Sequence, residues 1–593
     1  PAARATLRAV SGTRTSLAAI LLALALPLTG CMLWMLHADA WGLGGRSPVL
    51  NYDSAQYALA ARELATTGRL ATTFALPLEL ARHAGPPWPL AVVQPGLVLL
   101  EAALFRLAPA SVRVGPIVLA DLSRPDQREW LALVFPFCSF ILIGMTLAVV
   151  VSRLLRRHAP ALGEGRRLAA ACTVALAFYL DPEAQHFAAG GFTELPFTLG
   201  LLLACAALAL GRAPRHALAF GLLLGLAGTL RANMLWLAPV FALAAAGLAP
   251  PGRRARVLAL VLLGYALPLA PWWFYKWRAF GSPAWDLTRF VVWDGVQGRS
   301  WFSLYHLPEE PALPAGLEAA RLLAAKTARN LPRLLLDVLT GPRALWLGAL
   351  VLWLVASPPW RRREEAAGGD AARPRLVAAL AVLAAFALGV LAAAVSIPWL
   401  RFVFPARVVL EAAGLVALWA LIGRGAPAGP PRGLRRAAVI AAGLLALTWG
   451  GLQTARGNLE ARAASAERGV PGVLSLLKVA VLMSREIPRG EAVMSNLGPV
   501  LAWHARRPVL HLALSPGDLE ACRRRLEFRH VLLVFREAAV VWPEWREVME
   551  RPAEAPARPE WNVRRVRSWL THDGFTLVWL ELGPPEARLA AGP

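Results

Sequence analysis

Lysine is almost missing from this chain. Of 62 basic residues only Lys276, Lys326 and Lys478 are lysine; the rest are arginine. Acids are few as well, 38 in all, which leaves a formal net charge of +24. Such a balance invites a nucleic-acid partner, but no stretch interleaves aromatic and basic residues as RNA- and DNA-binding modules do, and that class is rejected. Much of the arginine falls in short connections between apolar runs, the distribution expected around membrane spans. Cysteine is also scarce. Cys31, Cys138, Cys172 and Cys205 lie within apolar segments and Cys522 stands alone in the tail. Their spacing gives neither a disulfide framework nor a metal site, and they read as small buried hydrophobes. No glycine-rich nucleotide loop is found.

What is abundant is hydrocarbon: 57% of the residues are hydrophobic and the mean hydropathy is +0.49. Apolar runs near the ~20 residues of a membrane-crossing helix recur. They lie at 17–37, 130–151, 168–181, 194–211, 217–230, 234–249, 256–275, 343–357, 376–397, 402–422 and 435–452. The expected fold is a polytopic α-helical membrane protein of about eleven transmembrane helices. The pair at 217–249 is short and broken at Arg231-Ala232-Asn233, as a re-entrant hairpin would be. Leu28-Thr29-Gly30-Cys31 matches a lipoprotein cleavage box, yet the apolar run continues past it, so an uncleaved first span is expected.

Arginines sort the two sides. Arg4, Arg8 and Arg14, then 153–167, Arg212/Arg215, 253–256, 361–363 and 432–436 fall in alternate connections. That side is read as cytoplasmic, with the N-terminus on it. The opposite side then carries 38–129, 276–342 and the tail from 453. The chain divides into a membrane domain, 1–452, and an extracytoplasmic α/β domain, 453–593. Within the tail the pattern alternates: helix 472–487, strand 491–495, helix 498–505, strand 508–512, helix 516–527, strand 529–535, helix 543–551, and strands near 563–570 and 574–582.

Acids and arginines at span ends are the candidates for chemistry. Asp53 follows the first span and opens an amphipathic stretch with Tyr57. As an N-cap, with Gln56 three residues on and Gly68 as the stop, it is also explained by a helix over 54–67. Glu194 opens a later span after Asp181 and His186; an acid at membrane depth is costly and usually paired or functional, although a polar helix start accounts for it too. Arg231 sits at the broken hairpin and Arg401 between two spans. Their forks match phosphate oxygens, or they snorkel. Lys276, Arg278, Arg289 and Arg299 form a looser basic group after Pro271-Trp272-Trp273, in company typical of a membrane interface.

Together these segments resemble the GT-C superfamily of membrane glycosyltransferases, and within it the protein O-mannosyltransferase and lipid A aminoarabinose transferase branch. The resemblance is carried by Tyr52-Asp53-Ser54-Ala55-Gln56-Tyr57, Gln94-Pro95-Gly96, Thr193-Glu194-Leu195-Pro196-Phe197, Gly225 to Asn233, Pro271-Trp272 with Phe280-Gly281-Ser282-Pro283, and Arg401-Phe402 before Pro405. It implies transfer of a sugar from a polyprenyl-phosphate donor to an envelope lipid, glycan or protein, with inversion, at the periplasmic face of a bacterial cytoplasmic membrane. It implies Asp53 as base with Glu194 in support, and substrate contacts from Tyr57, His186, Arg231, Lys276, Arg289 and Arg401. Metal-binding members often carry a second acid beside the first; here Ser54 follows Asp53, so no metal or other cofactor is expected. A lipid or solute transporter and a non-catalytic envelope assembly protein are the alternatives.

Overall fold

The computed structural model describes residues 24–45, 47–114, 117–159, 162–296, 300, 302–340, 343–356, 372–423, 432–463, 472–535, 543–571 and 573–584. The basic segments at 4–14 and 361–363, and Arg299, lie outside them.

A helix over 24–41 (α1) runs without a break through Cys31. It is followed by α2 (Tyr52–Thr67) and α3 (Pro95–Leu107), then by the bundle: α4 (Val134–His158), α5 (Glu164–Tyr179), α6 (Pro182–Ala189), α7 (Glu194–Ala209), α8 (Ala217–Leu230), α9 (Met234–Leu248), α10 (Arg254–Phe280), α11 (Gly316–Val338), α12 (Arg343–Ala356), α13 (Ala372–Val395), α14 (Leu400–Gly423) and α15 (Arg432–Ala463). Among the described residues four helical stretches are each long and apolar enough to cross a membrane: Pro125–Arg157, Pro251–Phe280, Leu376–Val395 and Leu400–Leu421. The expected spans at 168–181, 194–211, 217–230 and 234–249 form helices of 14 to 16 residues. Helices α11 and α12 are bent by 94° at their junction.

Ion pairs from Glu194 to Arg231 and Arg401 bring the starts of α7 and α14 and the end of α8 together at one end of the bundle. Near the end of α4, Arg157 Nη1 donates to the Leu210 carbonyl, just past the end of α7, at 3.3 Å. Close backbone approach holds α8 on α10: a Cβ on Gly221 would strike the Val261 carbonyl, and one on Gly225 would lie 2.5 Å from the Tyr265 carbonyl. Small residues serve this purpose where lipid gives no hydrophobic drive to helix pairing.

The tail holds α16 (Val473–Glu486), α17 (Gly498–Ala505) and α18 (Leu519–Arg525), close to the expected positions. Its strands build a six-stranded sheet from β1 (Phe74–Ala75), β2 (Ala492–Ser495), β3 (Val509–His511), β4 (Phe528–Phe535), β5 (Val563–Leu570) and β6 (Thr576–Leu582), in the order β1-β3-β2-β4-β6-β5. Strand β1 comes from the segment 38–129, the first outer loop of the expected topology (276–342 being the second), and pairs parallel with β3, Phe74 opposite Val509. The sheet therefore reaches beyond the tail. One buried cluster joins Leu59 of α2, Val98 of α3, Trp285 and Phe290 of the second outer loop, and Leu501, Trp503 and Trp579 of the tail. Trp545, Cys522 and Val531 belong to the cluster on the opposite side of the sheet.

Candidate active site

Helix α2 begins differently from the expected cap. Asn51 is the N-cap: its side chain accepts from the Ser54 N–H, and Ser54 Oγ accepts in return from the Asn51 N–H at 2.9 Å. Asp53 is thereby freed from capping and stands in the first turn, where the helix dipole favours an anion. Gly68 closes the helix in the left-handed region, as its place in the sequence suggests.

The start of α2 is seated on the turn between α6 and α7. Asn51 Nδ2 donates to the Gly190 carbonyl at 2.8 Å. Gly191 follows with φ of +69°, and a Cβ there would come within 2.9 Å of Ser54 Cβ. Only glycine meets both demands, the left-handed backbone and the close approach. The contact brings Asp53 beside Glu194, the first residue of α7.

Four charged groups meet there. Arg401 Nη1 lies 2.7 Å from Asp53 Oδ2, and Arg401 Nε lies 2.9 Å from Glu194 Oε1. Arg231 Nη1 reaches the same Glu194 oxygen at 2.8 Å and also donates to Thr193 Oγ1 at 3.2 Å. Tyr57, one turn after Asp53, has its hydroxyl 3.4 Å from Thr193 Oγ1. Burial pushes the Tyr57 phenol up to about 12, so it stays protonated. The guanidinium carbon of Arg401 sits 4.8 Å from the Phe192 ring, and both arginines lie over Phe402, at 5.6 and 5.7 Å.

Exposure grades the set. The Glu194 side chain is sealed at 0%, Arg231 is 11% exposed, Arg401 24% and Asp53 35%. Glu194 therefore anchors two cations from beneath, while Asp53 and Arg401 face the open side. Removing this buried acid would leave Arg231 without its carboxylate and Arg401 with Asp53 alone, a buried pair broken on one side.

His186 lies on the flank of the cluster, its ring 5.0 Å from Trp41 and 5.7 Å from Phe192. Burial, and then Arg401, hold its imidazole below the ordinary value, so it is neutral near pH 7. Lys276 and Arg289 are held elsewhere. Lys276 Nζ pairs with Asp286 at 3.2 Å, and Asp286 also accepts from Gln94 at 3.4 Å. Arg289 pairs with Glu310 at 2.7 Å, a carboxylate shared with Arg82. Neither contact involves Asp53 or Glu194.

A second network escaped the reading of the sequence. Arg407, 2% exposed, pairs with Asp181, with Glu183 at 3.1 Å and with Glu411 at 3.5 Å; Glu411 also meets Arg343 at 3.1 Å. Asp181 at the same time caps α6 through the Glu183 and Ala184 N–H groups. The signal was present: Arg407 and Glu411, four apart, interrupt an apolar run, where charges seldom sit unpaired. Among the described residues no three His, Cys, Asp or Glu side chains gather as a metal would need. Between Asp53 and Glu194 the bridging cation is Arg401.

No family model and no curated protein matches the sequence. Solved structures do match. Two are ArnT from Cupriavidus metallidurans. The one bound to undecaprenyl phosphate is 13% identical, with 97% of this chain and 99% of that chain covered and a TM-score of 0.48. The apo state is 13% identical, with 95% and 98% covered and a TM-score of 0.49. The third is the oligosaccharyltransferase of Archaeoglobus fulgidus in complex with Zn and sulfate, 13% identical over 93% of this chain and 72% of that one, with a TM-score of 0.50. The fold shared with that oligosaccharyltransferase is the GT-C fold, the one that the motif set in the sequence resembles.

Proposed function

We propose that this protein transfers a sugar from a polyprenyl-phosphate donor to an envelope lipid, glycan or protein, with inversion, at the extracytoplasmic face of a bacterial cytoplasmic membrane. The observation that carries the reading is the linked set Asp53–Arg401–Glu194–Arg231 at one end of the bundle. The end rich in arginine connections is then cytoplasmic, by the positive-inside rule. The N-terminus lies on that side, and about eleven helices cross the membrane.

The chemistry follows from the order of exposure. The half-open Asp53 carboxylate takes the proton of an acceptor hydroxyl as its oxygen attacks the anomeric carbon. The bond from that carbon to the phosphate oxygen breaks, and the electron pair leaves with the phosphate. The sugar passes through an oxocarbenium-like state, as in glycosyl transfer generally. Arg401 and Arg231 meet the charge that grows on the departing phosphate. Glu194 fixes both forks before substrate arrives, which is the preorganisation such stabilisation requires. A donor phosphate would compete with Asp53 for Arg401, so donor binding itself would release the base from its ion pair. Phe192 and Phe402 shield the guanidinium faces from water. The reading needs no divalent ion, because a guanidinium already lies between the two acids.

The test is turnover by the purified, reconstituted protein with a polyprenyl-phosphate sugar. Loss of a positioned general base costs about 10²- to 10⁴-fold. Asp53→Asn is expected to lower kcat within that range and to leave the protein folded. Retained turnover rejects Asp53 as the base.

A further inference from the structure

We infer that Arg62 is a positioning residue for Asp53, acting through helix α17 of the C-terminal region. The inference rests on the proposed reading of Asp53 as the base.

Arg62 lies on α2 nine residues after Asp53. Nine residues are two and a half helical turns, so the two side chains leave opposite sides of α2. Asp53 meets the bundle, whereas Arg62 meets the tail. Its Nη1 donates to the Trp503 carbonyl at 2.9 Å and its Nη2 to the Ala502 carbonyl at 3.3 Å. The guanidinium carbon stands 4.8 Å from the Trp503 ring. Ala502 and Trp503 lie in the last turn of α17, whose carbonyls have no partner within the helix. A cation from α2 fills that vacancy at the favourable pole of the helix dipole.

Helix α17 is itself fixed to the first outer loop. Trp503 Nε1 donates to the Pro125 carbonyl at 3.1 Å, and Arg506 donates to the Ser123 carbonyl at 2.9 Å. His504 Nε2 lies 3.0 Å from Glu129 Oε1, with both side chains fully buried. The other Glu129 oxygen accepts from the Val49 N–H at 2.9 Å. The C-terminal region thus holds α2 through Arg62, two-thirds of the way along, while Glu129, in contact with His504, fixes Val49 just before the helix start. Between them lies Asp53. With Arg62 removed, α2 keeps the contacts at its start, Asn51–Gly190 and Val49–Glu129, as a pivot and loses its hydrogen bonds to α17. A pivot displaces Asp53 against Arg401, and a reacting group displaced by about 1 Å can cost about 10²-fold in rate.

The experiment uses full-length protein reconstituted in lipid, with a polyprenyl-phosphate sugar as donor. Arg62→Ala is expected to lower kcat about ten-fold or more with donor KM changed less than about three-fold, and Arg62→Lys, which keeps the charge and one carbonyl within reach, to recover part of the loss. In an Asp53→Asn background the same Arg62→Ala change is expected to have no further effect on the residual rate, since it acts through the missing group. Hydrogen exchange supplies a measurement that needs no turnover. The amides of Tyr52–Thr67 should exchange faster in Arg62→Ala, while the strands Ala492–Ser495 and Phe528–Phe535 keep their protection. Wild-type kcat or unchanged exchange in α2 overturns the inference, and so does loss of protection throughout the sheet, which would make Arg62 a residue of general stability. Full turnover in Asp53→Asn alone instead removes the base assignment, and the exchange data still decide whether Arg62 holds α2.

Discussion

Glu194 and Asp53 carry the same charge and have opposite fates when it is removed. Glu194 is sealed and compensates two arginines, so Glu194→Gln leaves Arg231 without an anion and Arg401 with Asp53 alone. Breaking a buried pair on one side typically costs about 3–5 kcal/mol. The expected result is a markedly lower melting temperature together with lost activity. Asp53 is about a third exposed, and its pair with Arg401 is screened accordingly. Asp53→Asn should shift stability by about 1 kcal/mol or less. Thermal unfolding of the two variants in the same detergent separates an anchoring acid from a reacting one, and equal losses would remove that division. At this scale the sequence displayed the participants, because charges beside apolar runs stand out. It did not display their pairing. Nothing in the spacing says that Arg401 bridges two acids, or that Asn51 and not Asp53 caps α2. Asparagine and aspartate cap equally well, and the choice was made by the Gly190 carbonyl that Asn51 also reaches.

Elements are placed by close approaches that leave little room for error. Gly191→Ala would force a side chain into the left-handed region and against Ser54, a backbone cost of about 1–2 kcal/mol before any clash is counted. The variant is expected to lose turnover through displacement of α2, with the bundle still assembled by gel filtration. A silent substitution would mean that the α2 seat is not critical. A separate test concerns the short helical turn Pro77–Ala81 of the first outer loop. There Glu79 is buried and accepts from the Leu76 N–H at 2.9 Å, and burial pushes its carboxyl up to about 8. The folded value lies above the unfolded one of about 4.3. The contribution is therefore whole at acid pH and is lost as pH rises through the interval to about 8, by at most about 1.4 kcal/mol per unit. Stability measured against pH should fall over that interval in the native protein and fall less steeply in Glu79→Gln. Parallel curves would contradict the assignment. The tail's strands and helices were legible because their hydrophobic period is strong and their turns carry Gly and Pro. The short helices α5, α7, α8 and α9 were legible as apolar runs, and their bounds fall within a few residues of those expected, because charged and turn residues mark where each run stops.

Across the whole molecule, the sheet binds the two ends of the chain. Strand β1 lies near residue 74 and its partner β3 near residue 509. The buried cluster around Trp503 draws on α2, α3, both outer loops and the tail. Deleting 453–593 is expected to expose apolar surface on α2 and α3 and to make 52–107 sensitive to limited proteolysis, while the bundle cluster around Phe140, Phe197 and Phe404 persists. A resistant, active fragment would contradict that dependence. Sequence reasoning marked the tail as a unit because its alternating pattern is continuous. It missed β1 because two residues, Phe74 and Ala75, carry no periodicity of their own.

That pairing also imposes an order in time. The chain is made from its first outer loop onward, so β1 is synthesised more than four hundred residues before the strand that completes it. Contacts so far apart in sequence are slow to form, because a long loop must close before any of them is gained. Until the last part of the chain has been made, the acids and arginines are present but α2 lacks its contact with α17. A ribosome product cut short before Trp503 would hold every charged group of the site but neither the partner of β1 nor the tryptophan that Arg62 of α2 covers.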